Sequence, residues 1–250
     1  MCIRDSYRNG YREVLTGFEI ARWHALNDFI PRFIKNNRCE KVLDYGAGQG
    51  LHVKLWEDIF PDSELHFCDI SEVSRERFST RYPDYTDAFH LVQNGKAACA
   101  DNTYDLIVSI EVMEHVEDLR AYLDDIYRLL KPNGLFIWTT PCANRFSIEH
   151  IFSAVTNKIE TTEEGYIRWS WEDPTHLRRM KSREVADALK DRGFANIHLR
   201  FRAHLFSFIC TYFPFHNGLD KIKYKLMCLD YILFKSLPNG ASMIGVAQKQ

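Results

Sequence analysis

Residues 40–52, EKVLDYGAGQGLH, constrain the fold more than any other part of the chain. An apolar run passes at once into Gly46, Gly48 and Gly50. Glycine tolerates positive φ and has no Cβ, so this spacing marks either a tight turn or a backbone that something else must approach closely. Further apolar runs follow: LHFCDI (65–70), YDLIVSI (104–110) and LFIWTT (135–140). Continuous apolar strands are those covered on both faces. Between them lie helical patterns. Leu119, Tyr122, Leu123, Ile126 and Leu130 share a helix face, and the pattern ends at KPNG, where proline and glycine stop a helix and turn the chain. Leu26, Phe29, Ile30, Phe33 and Ile34 form a similar stripe before Asn36, expected to cover a sheet edge. Later come a helix from Ser182, a stop at Gly193, and strands ANIHLRF (195–201) and SMIGVAQ (242–248). The alternation predicts an open, mostly parallel α/β sheet.

Length and charge narrow the function. A chain of 250 residues with 46% hydrophobic residues can bury one large core. The net charge of -2, without a long basic run, gives no electrostatic footprint for nucleic acid. Seven scattered cysteines without a CxxC pair suit neither a disulfide framework nor zinc, and fit a reducing cytoplasm. No signal peptide is visible, and the most apolar stretch, residues 204–215, is too short to span a bilayer. Peripheral membrane contact stays open, because residues 205–215 and 231–237 are apolar with Lys221, Lys223 and Lys225 between them. The opening MCIRDS resembles a translated sequencing adapter, so residues 1–6 are expected to be non-native. The domain reading is an N-terminal helical segment (1–38) and a single domain (39–250), interrupted by insertions at about 141–175 and 202–240. Insertions of that length are often lids or substrate walls. The oligomeric state is left open.

In such sheets ligands bind beyond the carboxyl ends of the strands, and the helix after the glycines faces their anionic group. A dinucleotide would place pyrophosphate there, and S-adenosylmethionine its methionine carboxylate. Asp69, at the end of the second run, can accept from the ribose hydroxyls of either. The spacing GxGxG departs from the dinucleotide fingerprint GxGxxG, whose third glycine would fall at Leu51. Asp44, directly before the loop, would repel pyrophosphate but attract an α-ammonium, directly or through water.

Taken in order, VLDYGAGQG, FCDIS, YDLIVSIEVMEHV and LLKPNGLFIWTTP resemble the successive motifs of class I S-adenosylmethionine-dependent methyltransferases. The branch most similar holds the ubiquinone-biosynthesis O-methyltransferases and related small-molecule enzymes. The resemblance covers roughly residues 40–141, and DPTHLRRMKSREVADALKDRGF (173–194) extends it. It implies a Rossmann-like, seven-stranded sheet with helices on both faces and an antiparallel last strand beside the sixth. It further implies that Gly46, Gly48 and Gly50 cradle the methionine portion, Asp69 holds the ribose, Ile70 packs on adenine, and Ile110 and Glu111 border the cofactor, S-adenosyl-L-methionine.

For chemistry, Glu111, Glu114 and His115 form E-x-x-E-H, which resembles a metal cluster of the quinone O-methyltransferases. A plainer reading puts Glu114 and Glu117 in the first turn of a helix with His115 packed at its base, and no metal is assigned. His115 and His176 are the candidate bases for a substrate hydroxyl, with Arg178 beside His176; hydrogen bonding to lid backbone is the alternative role of His176 and Arg178. The expected activity is methyl transfer to a small molecule, at oxygen. A non-catalytic cofactor-binding module and an NAD-dependent oxidoreductase are the alternatives.

Overall fold

The run that enters the glycines is strand β1 (Lys41–Tyr45), at the middle of an eight-stranded sheet. The computed structural model describes residues 16–34, 39–212 and 220–250; residues 1–6, Asn36 and the stretch 213–219 discussed above lie outside the described residues. β1 pairs in parallel with β2 (Glu64–Asp69) on one side and β5 (Tyr104–Ile110) on the other. β3 (Phe89–Gln93) continues the parallel sheet beyond β2, and β6 (Leu130–Pro141) beyond β5. β10 (Ser242–Lys249) runs antiparallel between β6 and β9 (Phe194–Arg202), as the resemblance implies.

The expected count of seven strands is corrected to eight by β4 (Lys96–Ala97), a two-residue strand folded back on β3. Asn94 and Gly95 both take positive φ, 49° and 75°, as a two-residue hairpin turn requires. The Asn-Gly pair, not an apolar run, was the signal for this hairpin. KPNG also behaves differently: the helix stops before it, but residues 131–134 form an irregularity inside β6 rather than a separate turn.

Helices follow local signals. α1 (Gly17–Phe29) starts at a capping box, in which the Thr16 hydroxyl accepts from Glu19 N–H and Glu19 accepts from Thr16 N–H. α2 (Val53–Ile59) follows the glycines. α3 (Glu72–Arg81) is capped by Ser71, and α4 (Leu119–Leu129) by Asp118, whose carboxylate accepts from Ala121 N–H at 2.9 Å. Glu114 and Glu117 therefore precede α4 instead of opening it, which corrects the plainer reading.

Neighbouring strand residues feed opposite faces of the sheet. Val42, Leu106, Val108, Ile137 and Ile244 meet Leu26, Phe29, Ile30 and Ile34 on one face. Leu43, Ile107, Phe136 and Met243 meet Leu123 and Ile126 of α4 on the other, together with Val185 and Leu189 of α6 (Ser182–Lys190). The stripe of α1 and its extension thus covers a sheet face, not the edge expected; edge strand β9 is reached by Phe33, with its ring 5.3 Å from His198, and by Phe18 under Arg202.

The first insertion contains α5 (Ile148–Val155) and the hairpin β7 (Ile159–Thr161)–β8 (Ile167–Trp169). The second contains α7 (Leu205–Tyr212) and α8 (Asp220–Phe234). They make one cover: Phe152 packs 5.5 Å from Phe208, and Trp171 packs edge-on 5.2 Å from Tyr212. α8 is tied to α1, where Asp28 accepts from Tyr231 Oη (3.0 Å) and Lys235 Nζ (2.7 Å). No described helix is long and apolar enough to cross a membrane, and the six described cysteines are all free.

Candidate active site

A cavity of about 810 Å³ opens where β1, β2 and β5 end. Gly46 and Gly48 line it in left-handed conformations, φ 88° and 56°, and a Cβ on Gly46 would collide with the Val112 side chain. Gly50 is also left-handed but lies off the lining. The space its missing Cβ leaves is taken by the rings of Phe78 and Tyr82, so this glycine serves packing of α3.

Asp69 lies on the lining and is buried. Its Oδ2 accepts from Gly48 N–H and its Oδ1 from Ser71 N–H, both at 2.9 Å, so the carboxylate holds the glycine loop in place. Burial pushes its pKa up to about 6 against the pull of those amides. Ile70, Ile110 and Glu111 line the cavity as well. Asp44 does not. It is buried off the cavity lining, with Oδ2 accepting from Trp56 Nε1–H at 2.7 Å and Oδ1 unpartnered, and burial raises its pKa to about 7.

Residues not singled out from the sequence complete this end. Arg22 of α1 lines the cavity, 3.3 Å from the Glu111 carboxylate, with Nε buried and unpartnered. Phe18 lies under both its guanidinium and that of Arg202. Burial and Arg22 together pull the Arg202 pKa down to about 10. Against the effect of its burial, both guanidiniums act on the Glu111 carboxylate and hold its pKa below the usual value. A charged residue on the apolar stripe Phe18, Ala21, Ala25, Leu26 was the available sign. His52, before α2, also lines the cavity and stays neutral, its pKa lowered to about 3 by burial and Arg22.

At the other end the structure brings His115 and His176 together, with ring centroids 4.7 Å apart. His115 Nδ1 donates to the Thr175 carbonyl at 3.0 Å, and burial lowers its pKa to about 4. His176 Nδ1 lies 3.0 Å from Glu172 Oε2; burial opposes its charge, but Glu172 and Glu114 prevail and its pKa is raised. Glu172 in turn accepts from Arg179 Nε at 2.6 Å, and Arg179 reaches Glu149 of α5 at 3.0 Å. The site is thereby wired to the cover. Glu114 is buried, takes a hydrogen bond from Thr140 Oγ1, leaves Oε1 unpartnered, and has its pKa raised to about 8 by burial and the nearby Glu111.

The E-x-x-E-H reading is corrected in one member. Glu111 turns to Arg22 and accepts from Thr139 Oγ1 at 2.7 Å, and His176 takes its place. Glu114, His115 and His176 each offer one ligand atom, all within 4.8 Å of one another. Both imidazoles are oriented through Nδ1 by oxygen, which suits proton transfer and cation binding alike. Arg178 meets neither expectation: it donates to the Val116 and Glu117 carbonyls, which lie in the loop before α4 and not in the lid, and it stacks on the Tyr166 side chain of the first insertion.

Comparison with known proteins agrees with this geometry. A family model described as a methyltransferase domain matches residues 18–199. A ubiquinone/menaquinone biosynthesis C-methyltransferase of Desulfotalea psychrophila is 22% identical over 197 residues, 75% of this chain and 78% of that protein. A ubiquinone biosynthesis O-methyltransferase of Parvibaculum lavamentivorans is 41% identical over a shorter stretch of 58 residues, 23% of this chain and 22% of that protein. Among solved structures, phosphoethanolamine N-methyltransferase 2 of Haemonchus contortus, in complex with S-adenosyl-L-methionine, shares the fold with a TM-score of 0.61 at 17% identity, covering 100% of this chain and 60% of that one. With its glycine loop, its strand order and a family match across most of its length, the chain belongs to the methyltransferase-domain family, among the class I S-adenosylmethionine-dependent enzymes.

Proposed function

We propose that the protein methylates an oxygen atom of a small-molecule acceptor. When bound, S-adenosylmethionine supplies a sulfonium methyl that is already strongly electrophilic. The work left to the chain is to hold donor and acceptor in line and to receive a proton from the acceptor hydroxyl. Gly46, Gly48 and Arg22 would hold the methionine end, and Ile70, Ile110 and Glu111 the adenosyl side. Asp69 accepts one amide on each oxygen, and each oxygen has a further acceptor position, so two ribose hydroxyls can be added. A cavity of about 810 Å³ supports a small acceptor.

The observation that carries the oxygen assignment is the Glu172–His176 pair, in which His176 lines the cavity and Glu172 lies behind it. With Nδ1 committed to the carboxylate, Nε2 is the nitrogen left to accept a proton, and the carboxylate makes it more basic. His115 is neutral beside it. Methyl-labelled S-adenosylmethionine, incubated with phenols, sugars and hydroxy acids, tests the reading by mass spectrometry and NMR of the labelled product. His176→Ala is expected to lower turnover about 10²–10⁴-fold, the usual worth of a positioned base. Glu172→Gln is expected to move the acid limb of the pH profile to lower pH, since Glu172 raises the His176 pKa. Label on carbon or nitrogen would overturn the oxygen assignment. Full turnover after single changes at both His115 and His176 would remove their roles.

A further inference from the structure

Among the described residues, eleven large hydrophobic side chains are exposed. Ile70 belongs to the cavity. The other ten all stand on the two insertions: four on and beside α5, and six on α7, α8 and the turn that follows. The concentration is not a general looseness of the surface, because the remaining helices show none.

On α8, Ile222, Leu229 and Leu233 lie at helical spacing with Ile232 beside them, while Met227, Cys228 and Tyr231 face inward and are buried. The helix is therefore apolar on the side that packs and apolar on the side that does not. A helix of that kind needs a second cover. Val155 and Phe146 of the α5 segment are 81% and 74% exposed, and α7 packs against both α5 and α8, making the cover continuous.

Cations stand beside these side chains; of the exposed acids on the adjoining β7–β8 hairpin, Glu160 is paired with Arg168 and Glu164 with Arg178, and Glu163 is also exposed. Lys221 and Lys225 are exposed on α8, and Arg145 and Lys158 are exposed at the two ends of α5. Asp230, the acid of α8 with a described side chain, is buried and accepts from His204 N–H, Phe206 N–H and Ser207 Oγ. Exposed apolar residues rimmed by cations match the boundary of an anionic bilayer, where acyl chains receive the first and headgroups the second. A second copy of the chain fits less well, because self-association through α8 would bring the same lysines together. We propose that the α5–α7–α8 cover seats the protein on an anionic lipid surface.

The full chain should float with vesicles of phosphatidylcholine mixed with phosphatidylglycerol, and not with phosphatidylcholine alone. Lys221→Glu/Lys225→Glu should weaken the partition at least about 25-fold, at about fivefold for each lysine near such a surface. Ile232→Glu/Leu233→Glu should weaken it at least about tenfold. Both pairs are exposed, so binding of S-adenosylhomocysteine by the variants serves as the check of folding. Should a variant fail that check, loss of wild-type flotation at high salt reads the same electrostatic attraction. Equal flotation with neutral vesicles, no flotation, or wild-type flotation of folded variants overturns the proposal. So does a concentration-dependent dimer abolished by Ile232→Glu/Leu233→Glu, which would assign the surface to a second copy.

Discussion

The Arg22 guanidinium lies 3.3 Å from the Glu111 carboxylate, joining α1 to the residue that follows β5 at the cavity wall. Glu111 takes φ 55°, a conformation that costs a non-glycine residue about 1–3 kcal/mol. The ion pair, the Thr139 hydroxyl and the bond from Glu111 N–H to the Thr139 carbonyl hold it there. Replacing Arg22 with Leu should cost about 2–3 kcal/mol in urea unfolding, below the usual buried-pair loss because 20% of the Glu111 side chain stays exposed. The double variant Arg22→Leu/Glu111→Leu should regain most of it, since an apolar pair can replace a buried ionic one. Additive losses would show that the two residues do not act as a pair.

Gly50 and Gly165 have nearly the same left-handed φ, 83° and 84°, but only Gly50 is crowded. A Cβ at Gly165 meets nothing within 4 Å, whereas one at Gly50 would stand 2.6 Å from the Tyr82 ring. Alanine at Gly165 should therefore cost about 1 kcal/mol of backbone strain. At Gly50 it should cost a further 1–3 kcal/mol or so from overpacking. Thermal denaturation of the two variants measures the difference, and equal shifts would mean that Phe78 and Tyr82 give way freely.

Asp44 makes a signed prediction about pH. Its pKa is raised from 3.8 to about 7 in the folded chain, so the unfolded chain binds fewer protons between those values. Stability contributed by the protonated group is present below pH 3.8 and is lost as pH rises through 7. The full cost above that range is on the order of a few kcal/mol. His52, depressed from 6.5 to about 3, tilts the total the other way, losing stability as pH falls from 6.5. The comparison must therefore be Asp44→Asn against wild type at each pH. The variant, which keeps an acceptor for Trp56, should gain on wild type between pH 4 and pH 8 in urea titrations. A pH-independent difference would show that Asp44 ionises as it does in solution.

The two insertions should be energetically coupled through Trp171 and Tyr212, whose rings meet at 89°. A double-mutant cycle to alanine should return about 0.5–1.5 kcal/mol, the usual worth of an edge-on aromatic pair. A value indistinguishable from zero would make them two separate lids.

Much of the fold was legible in the chain because its causes are local. β1, β5 and α4 follow from runs and spacings of apolar residues, and a glycine loop after a strand restricts the backbone whatever surrounds it. The resemblance added strand order and cofactor. The hairpin to β4 was missed because its signal is a two-residue turn, and the edge expected for α1 was wrong because a stripe shows that a helix packs but not against what. Gly50 shows the same limit: spacing marks a glycine, yet only Phe78 and Tyr82 across the loop reveal what its missing side chain makes room for.

Charge partners are where the amino-acid order ran out. Glu111 looked like a neighbour of Glu114 and His115, but Arg22 draws it away and His176 arrives from the far end of the first insertion. Glu172, the residue that makes His176 basic, carried no mark in the sequence at all. Backbone preference and periodicity act over a few residues and can be read from them. Which carboxylate meets which cation, and how far burial shifts its proton, depends on distances between elements that only the packed sheet, helix and cover bring together.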